Sequence, residues 1–274
     1  MSRPAATVLV AGDARAYRRD RMVALAGLLA IAALAWVYLW WDASRMSATS
    51  AGSGGPGAGG LANMPMAGVW SISSLLLTFV MWSVMMVGMM LPSAAPAILL
   101  YGSMVKKNRD RGSALPAVWV FAAGYLAVWT GFSLAAALLQ AALEASALLT
   151  PMMVSASAWL GGGLLIAAGI YQWLPVKDVC LEKCRAPLQF FLFRWRPGAV
   201  GAFRMGAEHG IFCLGCCWVL MLLLFVAGVM NLVWVALLAG FVFIEKLLPA
   251  GRLIGRLAGI GLAVAGGGGI LANV

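Results

Sequence analysis

One short segment of the chain concentrates the side chains that are best suited to bind a metal ion. His209, the only histidine, lies four residues before Cys213, Cys216 lies three residues after Cys213, and Cys217 follows directly in a mostly apolar stretch. On a helix, positions i, i+4 and i+7 share one face, so an imidazole and two thiols would lie side by side. Ionisable side chains inside hydrocarbon are rare and mark functional sites. The pattern predicts metal chemistry, although cysteine also serves as a small packing residue.

Two further cysteines precede this segment. Cys180 and Cys184 are spaced i, i+4 within a basic stretch, where a short helix would bring both thiols to one side. The cytosol is reducing, so a pair on that side of a membrane is a poor structural disulfide. It could instead bind or deliver one soft metal ion. The spacing is less specific than the paired Cys-x-x-Cys arrays of structural zinc sites.

Methionine supplies a third group of candidate ligands. Within the apolar run 81–92, two parallel stripes at helical spacing contain four candidates: Met85, Met86, Met89 and Met90. Thioethers and thiolates are the soft ligands that select Cu(I). His and Cys ligands alone suit zinc as well, so the methionines favour copper. Methionine also fills irregular gaps in apolar helices, so the stripes alone would not indicate a site.

The composition predicts the environment of these residues. The chain is 63% hydrophobic and 10% charged, whereas soluble domains contain about 25% charged residues. We therefore expect an integral membrane protein with the lipid bilayer as its partner. The net charge of +10 comes from basic residues beside apolar runs, which is how membrane orientation is set, so no nucleic-acid partner is expected.

The apolar runs predict an all-α, polytopic membrane helix bundle. Spans of about 20 residues give about seven transmembrane helices, at approximately 22–41, 70–92, 116–141, 153–174, 206–227, 230–248 and 253–272. Alternate loops are basic and nearly uncharged, which predicts a cytoplasmic N-terminus and a location in the cell inner (cytoplasmic) membrane. In this orientation Met86 to Met90 and His209 to Cys213 lie at similar depth in the cytoplasmic half.

The segments outside the apolar runs have simpler expected roles. Residues 1–21 form a basic cytoplasmic arm, and residues 22–274 form the transmembrane bundle, within which 42–69 is a flexible Gly/Ser-rich outside linker and 175–205 a basic cytoplasmic loop. Pro92 and Pro96 should break or kink the second span. Glu208 and Glu245 are expected to form salt bridges, with an arginine as the partner of Glu245.

Three separated blocks of the sequence resemble a known family. They are Tyr171–Lys177 followed by Cys180 and Cys184, Trp195–Gly198, and His209–Trp218. Together they are similar to a bacterial family of uncharacterised integral membrane proteins described as predicted metal-binding, a family named only as a domain of unknown function. The similarity covers about residues 70–250. The resemblance implies a membrane metal protein and no assigned reaction.

The leading hypothesis is a Cu(I)-handling membrane protein that stores copper, senses it or delivers it to a membrane cuproenzyme, with a metallochaperone as a further possible partner. No Walker-type nucleotide motif is present, so the chain is no ATP-driven pump by itself and is not expected to be an enzyme. A competing hypothesis is a membrane thiol oxidoreductase that uses the Cys-x-x-Cys pair Cys213 and Cys216. The same residues would also suit a zinc-binding protein, or a haem protein with His209 as axial ligand.

Overall fold

The computed structural model describes residues 4–51, 71–107, 115–149, 155 and 157–272. Within these residues the fold is all-α, as predicted, and the β-structure is one isolated bridge between Leu149 and Ser155. The helices are α1 Pro4–Ala51, α2 Ile72–Lys107, α3 Leu115–Ala145, α4 Ala158–Tyr171, α5 Pro175–Arg185, α6 Pro187–Arg194, α7 Gly198–Leu222, α8 Leu224–Ala227, α9 Leu232–Leu247 and α10 Gly251–Leu271.

Within the described ranges, five helices are long and apolar enough to cross a membrane. They cover Arg18–Arg45, Ile72–Lys106, Ala117–Ala145, Gly198–Ala227 and Gly251–Leu271. A sixth span results if α4 and α5, which are bent by 65° relative to each other, count as one. Helix α9 has only 16 residues, about 24 Å, and is shorter than a bilayer core of about 30 Å. The predicted count of seven is therefore not confirmed, and the orientation stays a prediction.

Helix α2 continues through both of its prolines. Pro92 and Pro96 lie inside Ile72–Lys107, so they do not break the helix, and a kink at either residue stays a prediction. A proline has no N–H and leaves the carbonyl four residues earlier without its intrahelical partner. For Pro92 that carbonyl belongs to Gly88, and Trp36 of α1 donates its indole N–H to it at 3.3 Å. The neighbouring helix thus replaces the lost hydrogen bond.

The segments between the predicted spans contain more helix than the sequence suggested. Helix α1 begins at Pro4 and ends at Ala51, and therefore covers most of 1–21 and the first part of 42–69. Residues 52–70 lie outside the described residues. The stretch 175–205 contains α5, α6 and the start of α7. Pro175 and Pro187 begin the two short helices, where a missing N–H costs nothing.

Helices α3 and α7 pack with their backbones in contact, and this crossing positions the candidate site. A Cβ on Gly124 of α3 would overlap the carbonyl oxygen of Phe203, and a Cβ on Gly206 of α7 would overlap that of Phe121. Small residues allow such close approach between membrane helices. The crossing brings Tyr125 of α3 against the part of α7 that contains Cys213.

Replacing Gly124 with alanine should destabilise the bundle by about 2–3 kcal/mol, because neither backbone at the crossing can move away from a new methyl group. Gly131 is the matched control on the same helix, since a Cβ there would meet nothing within 4 Å. Gly131→Ala should be neutral or stabilising by up to about 1 kcal/mol. Unfolding of the detergent-solubilised variants measures both. Equal unfolding temperatures would show that the crossing tolerates a side chain.

Candidate metal centre

The four candidate ligands in the segment from His209 to Cys217 all lie on α7 and are all buried. His209, Cys213, Cys216 and Cys217 expose 3%, 2%, 0% and 0% of their surfaces. The helix Gly198–Leu222 that contains them agrees with the spacing that predicted it. Cys213 and Cys217 lie one helical turn apart, and Cys216 lies between them on the adjoining face.

Helix α5 brings a fourth thiol to this place. It packs along α7, and the thiol of Cys184 lies close enough to those of Cys213 and Cys216 to interact with them electrostatically. We call Cys184, Cys213, Cys216 and Cys217 the thiol cluster. Three of its members come from one helix and the fourth from a helix that starts after the 65° bend.

The fifth cysteine, Cys180, lies beside the cluster. Cys180 and Cys184 are both half-buried, and a Cβ on Gly215 of α7 would lie 2.8 Å from the Cys180 sulfur. Gly215 thus makes room for Cys180, and Tyr171 donates a hydrogen bond to the Gly215 carbonyl. The structure therefore brings Cys180 and Cys184 to the same place as the cysteines of α7, a proximity that the sequence left open.

The thiols of the cluster are neighbours, but they do not form a closed coordination shell. Cys216 and Cys217 both donate to the carbonyl oxygen of Cys213, each at 3.0 Å. Among the residues that the structure describes, no three His, Cys, Asp or Glu side chains are arranged to hold a metal ion. Rotation about the Cα–Cβ bond of each cysteine exchanges one staggered position for another. Such rotations would turn these sulfurs away from the backbone and toward a bound ion.

A buried amine and a phenol complete the surroundings of Cys213. Lys246 of α9 donates to the Cys213 sulfur at 2.9 Å, and the Tyr125 hydroxyl lies 3.0 Å from the same atom. A ligating cysteine is a thiolate, so the ammonium group supplies a counter-charge where negative charge would collect. The sequence pattern around Cys213 indicates neither residue, because Lys246 is 33 positions away in the chain and Tyr125 is 88 positions away. A charged residue at the end of an apolar run was the one available signal for Lys246.

The methionines of α2, which we call the methionine stripe, lie on the helix that Tyr125 and Lys246 reach from Cys213. Met85, Met86, Met89 and Met90 are fully or almost fully buried, and α2 packs mainly against α1 and α3, whereas α7 packs mainly against α3 and α5. Two side chains that contact Cys213 also form hydrogen bonds with α2. The Tyr125 hydroxyl donates to the Met90 carbonyl at 3.1 Å, and the Lys246 amine donates to the Ser93 hydroxyl at 3.2 Å.

His209 lies in an aromatic enclosure beside the thiol cluster. Its ring centroid is 6.2, 6.0 and 5.9 Å from those of Phe121, Tyr125 and Phe190. Its Nδ1 atom is buried and has no hydrogen-bond partner in the part of the chain that the structure describes. Buried polar atoms without a partner are rare in folded proteins. The unpaired nitrogen therefore fits a ligand better than a packing residue.

The two glutamates near this level form salt bridges, as expected. Glu208 pairs with Arg194 and Arg196, each at 3.0 Å. The partner of Glu245 is Lys177, at 2.6 Å, so the expectation of an arginine is wrong. This buried pair joins α5 to α9 and thereby helps to hold α5 against the bundle.

Comparison with known proteins links the chain to copper. Residues 79–268 match the PpoB2 family, which is described as a copper chaperone. The matched region contains the methionine stripe and all five cysteines. No curated protein and no solved structure matches the chain. The match supports the copper hypothesis and gives no support to zinc or haem.

Proposed function

We propose that this chain, which belongs to the PpoB2 copper chaperone family, binds Cu(I) inside a membrane-embedded helix bundle and delivers it to a copper-requiring partner. The observation that carries the proposal is the convergence of the half-buried Cys184 with the buried Cys213 and Cys216. Thiolates are the ligands that select Cu(I) over harder cations. The five spanning-length helices support a location in the bilayer.

The arrangement of the cysteines suggests a direction for loading. Cys180 is half-buried beside the thiol cluster, whereas three members of the cluster are fully or almost fully buried. A copper ion would meet the two half-buried cysteines, Cys180 and Cys184, first and then pass to the buried Cys213. Copper moves between such sites by exchange of one sulfur ligand for another, so the ion never has to be free in the apolar interior.

The methionines of α2 would then provide weaker sites for delivery. Thioethers are neutral, and a copper ion that they hold keeps its positive charge, so it is released more readily than from thiolates. Delivery is favoured over storage because Tyr125 and Lys246, which surround Cys213, also reach α2 at the Met90 carbonyl and the Ser93 hydroxyl, so a second set of soft ligands lies on an adjacent helix. Storage would need no second set.

Metal analysis of the purified protein tests the proposal. The protein, purified under anaerobic conditions and loaded with Cu(I) in the presence of excess Zn(II), should retain copper and exclude zinc. It should then pass copper to an apo-cuproenzyme acceptor in the same membrane fraction. A chain that retains no copper after loading, or retains zinc instead, would refute the proposed function.

His209→Phe should weaken Cu(I) binding by at least about tenfold if the imidazole is a ligand, since even groups that only orient ligands contribute about 10–100-fold to metal affinity. Phenylalanine fills the same aromatic enclosure, and the replaced Nδ1 has no partner to lose. Stability should therefore change by less than about 1.5 kcal/mol. Competition with a chromophoric Cu(I) chelator gives the affinity. Unchanged affinity would assign His209 to packing alone.

The thiol oxidoreductase hypothesis stays a prediction from the Cys213-x-x-Cys216 spacing. Both thiols are buried, which keeps them from a soluble disulfide-exchange partner. Thiol trapping distinguishes the two activities. A Cys213–Cys216 disulfide that forms and is reduced during turnover with a quinone would favour oxidoreductase chemistry over copper delivery.

A further inference from the structure

A second group of buried polar side chains lies at the other end of the methionine stripe. Asp42 of α1, Thr78 of α2 and Gln140 of α3 are exposed by only 3%, 0% and 0%. We call these three residues the far polar cluster. None of them is used by the thiol cluster, and three oxygen-bearing side chains in an otherwise apolar interior are costly unless they have a partner.

Helix register shows how far this group is from the thiols. On α3, Tyr125 contacts Cys213 at one end, and Gln140 accepts a hydrogen bond from the Trp82 indole at 2.8 Å at the other. The two α3 residues are 15 positions apart, or roughly 22 Å along the helix. On α2, the stripe from Met81 to Met90 occupies the interval between the two groups.

Helix α1 runs antiparallel to α2 and brings Asp42 to the same end. Trp36 donates to the Gly88 carbonyl, so the residues that follow Trp36 on α1 lie beside those that precede Gly88 on α2. Asp42, six residues after Trp36, is therefore at the level of Met81 and Trp82, and Thr78 lies one turn beyond. The Asp42 carboxylate and the Met81 thioether thus lie at the same level along the two helices.

Two oxygen atoms of the far polar cluster are available to a ligand. Among the described residues, Asp42 Oδ2 and Thr78 Oγ1 are buried and have no hydrogen-bond partner. The charged or titratable neighbours of Asp42 on its own helix are Tyr38 and Arg45. Gln140 continues the polar path, since its amide donates to Glu144 at 2.9 Å, and Glu144 is half-buried near the end of α3.

Charge decides which ligand suits this place. A copper ion held only by neutral thioethers keeps a full positive charge, and a cation in a low-dielectric interior is strongly unfavourable without a nearby anion. At the thiol end the thiolates neutralise it. At the other end of the stripe the buried anion is Asp42, and a carboxylate oxygen binds Cu(I) weakly enough to let it leave.

We propose that the far polar cluster, together with the Met81 thioether, is the site from which the copper ion is released. The proposal rests on the proposed function, because it needs copper on the stripe. The ion would lie between the Met81 sulfur and Asp42 Oδ2, with the Thr78 hydroxyl as a further oxygen contact, and would leave along Gln140 and Glu144. The two ends of the stripe then differ in kind: sulfur anions retain the ion, and one oxygen anion releases it.

Asp42→Asn tests the release site in proteoliposomes. Cu(I)-loaded wild type and variant are compared with a membrane-impermeant Cu(I) chelator placed either inside or outside the vesicles. The variant should transfer copper at least about tenfold more slowly to the chelator on one side, while transfer on the other side and the equilibrium affinity at the thiols stay unchanged. Asp20→Asn is the matched control, because Asp20 is a second buried aspartate of α1, 22 positions away, and should leave both rates unchanged.

The outcomes separate this inference from the proposed function. Wild type that holds no copper refutes the proposed function. Wild type that holds copper, with Asp42→Asn releasing it at the wild-type rate on both sides, overturns the release site. If Asp42→Asn does not fold, Thr78→Val decides by the same measurement, because it keeps the side-chain shape and removes the hydroxyl. A one-sided slowing supports the site, and equal rates overturn it.

Discussion

Replacing Cys213 and Cys216 together with serine should reduce Cu(I) affinity by at least about a thousandfold, the combined effect of two lost ligands that each contribute tens-fold or more. A serine hydroxyl stays protonated at neutral pH and is a hard ligand, so it replaces the size of the thiol and not its chemistry. The fold should survive, since a serine at position 216 can still donate to the Cys213 backbone carbonyl as the thiol does. Competition with a Cu(I) chelator under anaerobic conditions gives the affinity.

Cys180→Ser is the matched control for the double variant. Cys180 lies beside Gly215 outside the thiol cluster, so its loss should change the equilibrium affinity by less than about a factor of three while slowing the rate of copper loading. Wild-type copper affinity in the double variant would show that the thiol cluster is not the binding site. Equal losses in both variants would show that the cluster extends to Cys180.

Lys177→Met should destabilise the protein by about 3–5 kcal/mol, the usual result of removing one partner of a buried ion pair. Lys177 and Glu245 have side chains that are each 2% exposed and lie 2.6 Å apart. Methionine keeps the length of the side chain and leaves the Glu245 carboxylate without its counter-charge. That carboxylate also lies against Gly255 of α10, where an added Cβ would overlap its oxygen. Unfolding of the detergent-solubilised variant measures the loss.

Two variants control for this interpretation. Lys177→Met/Glu245→Leu should recover most of the lost stability, because replacing a whole buried pair with apolar groups is often neutral. Arg252→Met removes an exposed pair with Glu182, whose side chains are 45% and 65% exposed, and should cost less than about 1 kcal/mol. If Lys177→Met is no less stable than Arg252→Met, the buried pair contributes little.

Local spacing predicted the helical parts of the site. The i, i+4, i+7 pattern of His209, Cys213 and Cys216 and the i, i+4 pattern of Cys180 and Cys184 both fall on helices at those positions. Such patterns depend on residues within two turns, which the sequence displays directly. Whether the two helices meet depends on the 65° bend between α4 and α5, and no local pattern encodes that angle.

The remaining members of the site come from distant parts of the chain. Tyr125 and Lys246 reach Cys213 only after α3 and α9 pack against their neighbours. Each is ordinary in its own segment, an aromatic residue in an apolar helix and a lysine at a helix end. The predicted count of seven spans is not confirmed for a related reason. Hydropathy recognises an apolar run, and it does not show that α9 stops after 16 residues or that a bend separates α4 from α5.

The glycine crossing between α3 and α7 has a mechanical consequence for metal exchange. Because positions 124 and 206 leave no space between the two backbones, Cys213 cannot slide or roll relative to Tyr125. Cys184 stands on an 11-residue helix that follows the 65° bend and is held to α9 by the buried Lys177–Glu245 pair. The sulfurs of the cluster therefore lie on two walls, one fixed by the crossing with α3 and one held by that pair. Copper exchange that requires the walls to separate would have to move α5 against the buried pair, while the sulfurs of α7 keep their positions.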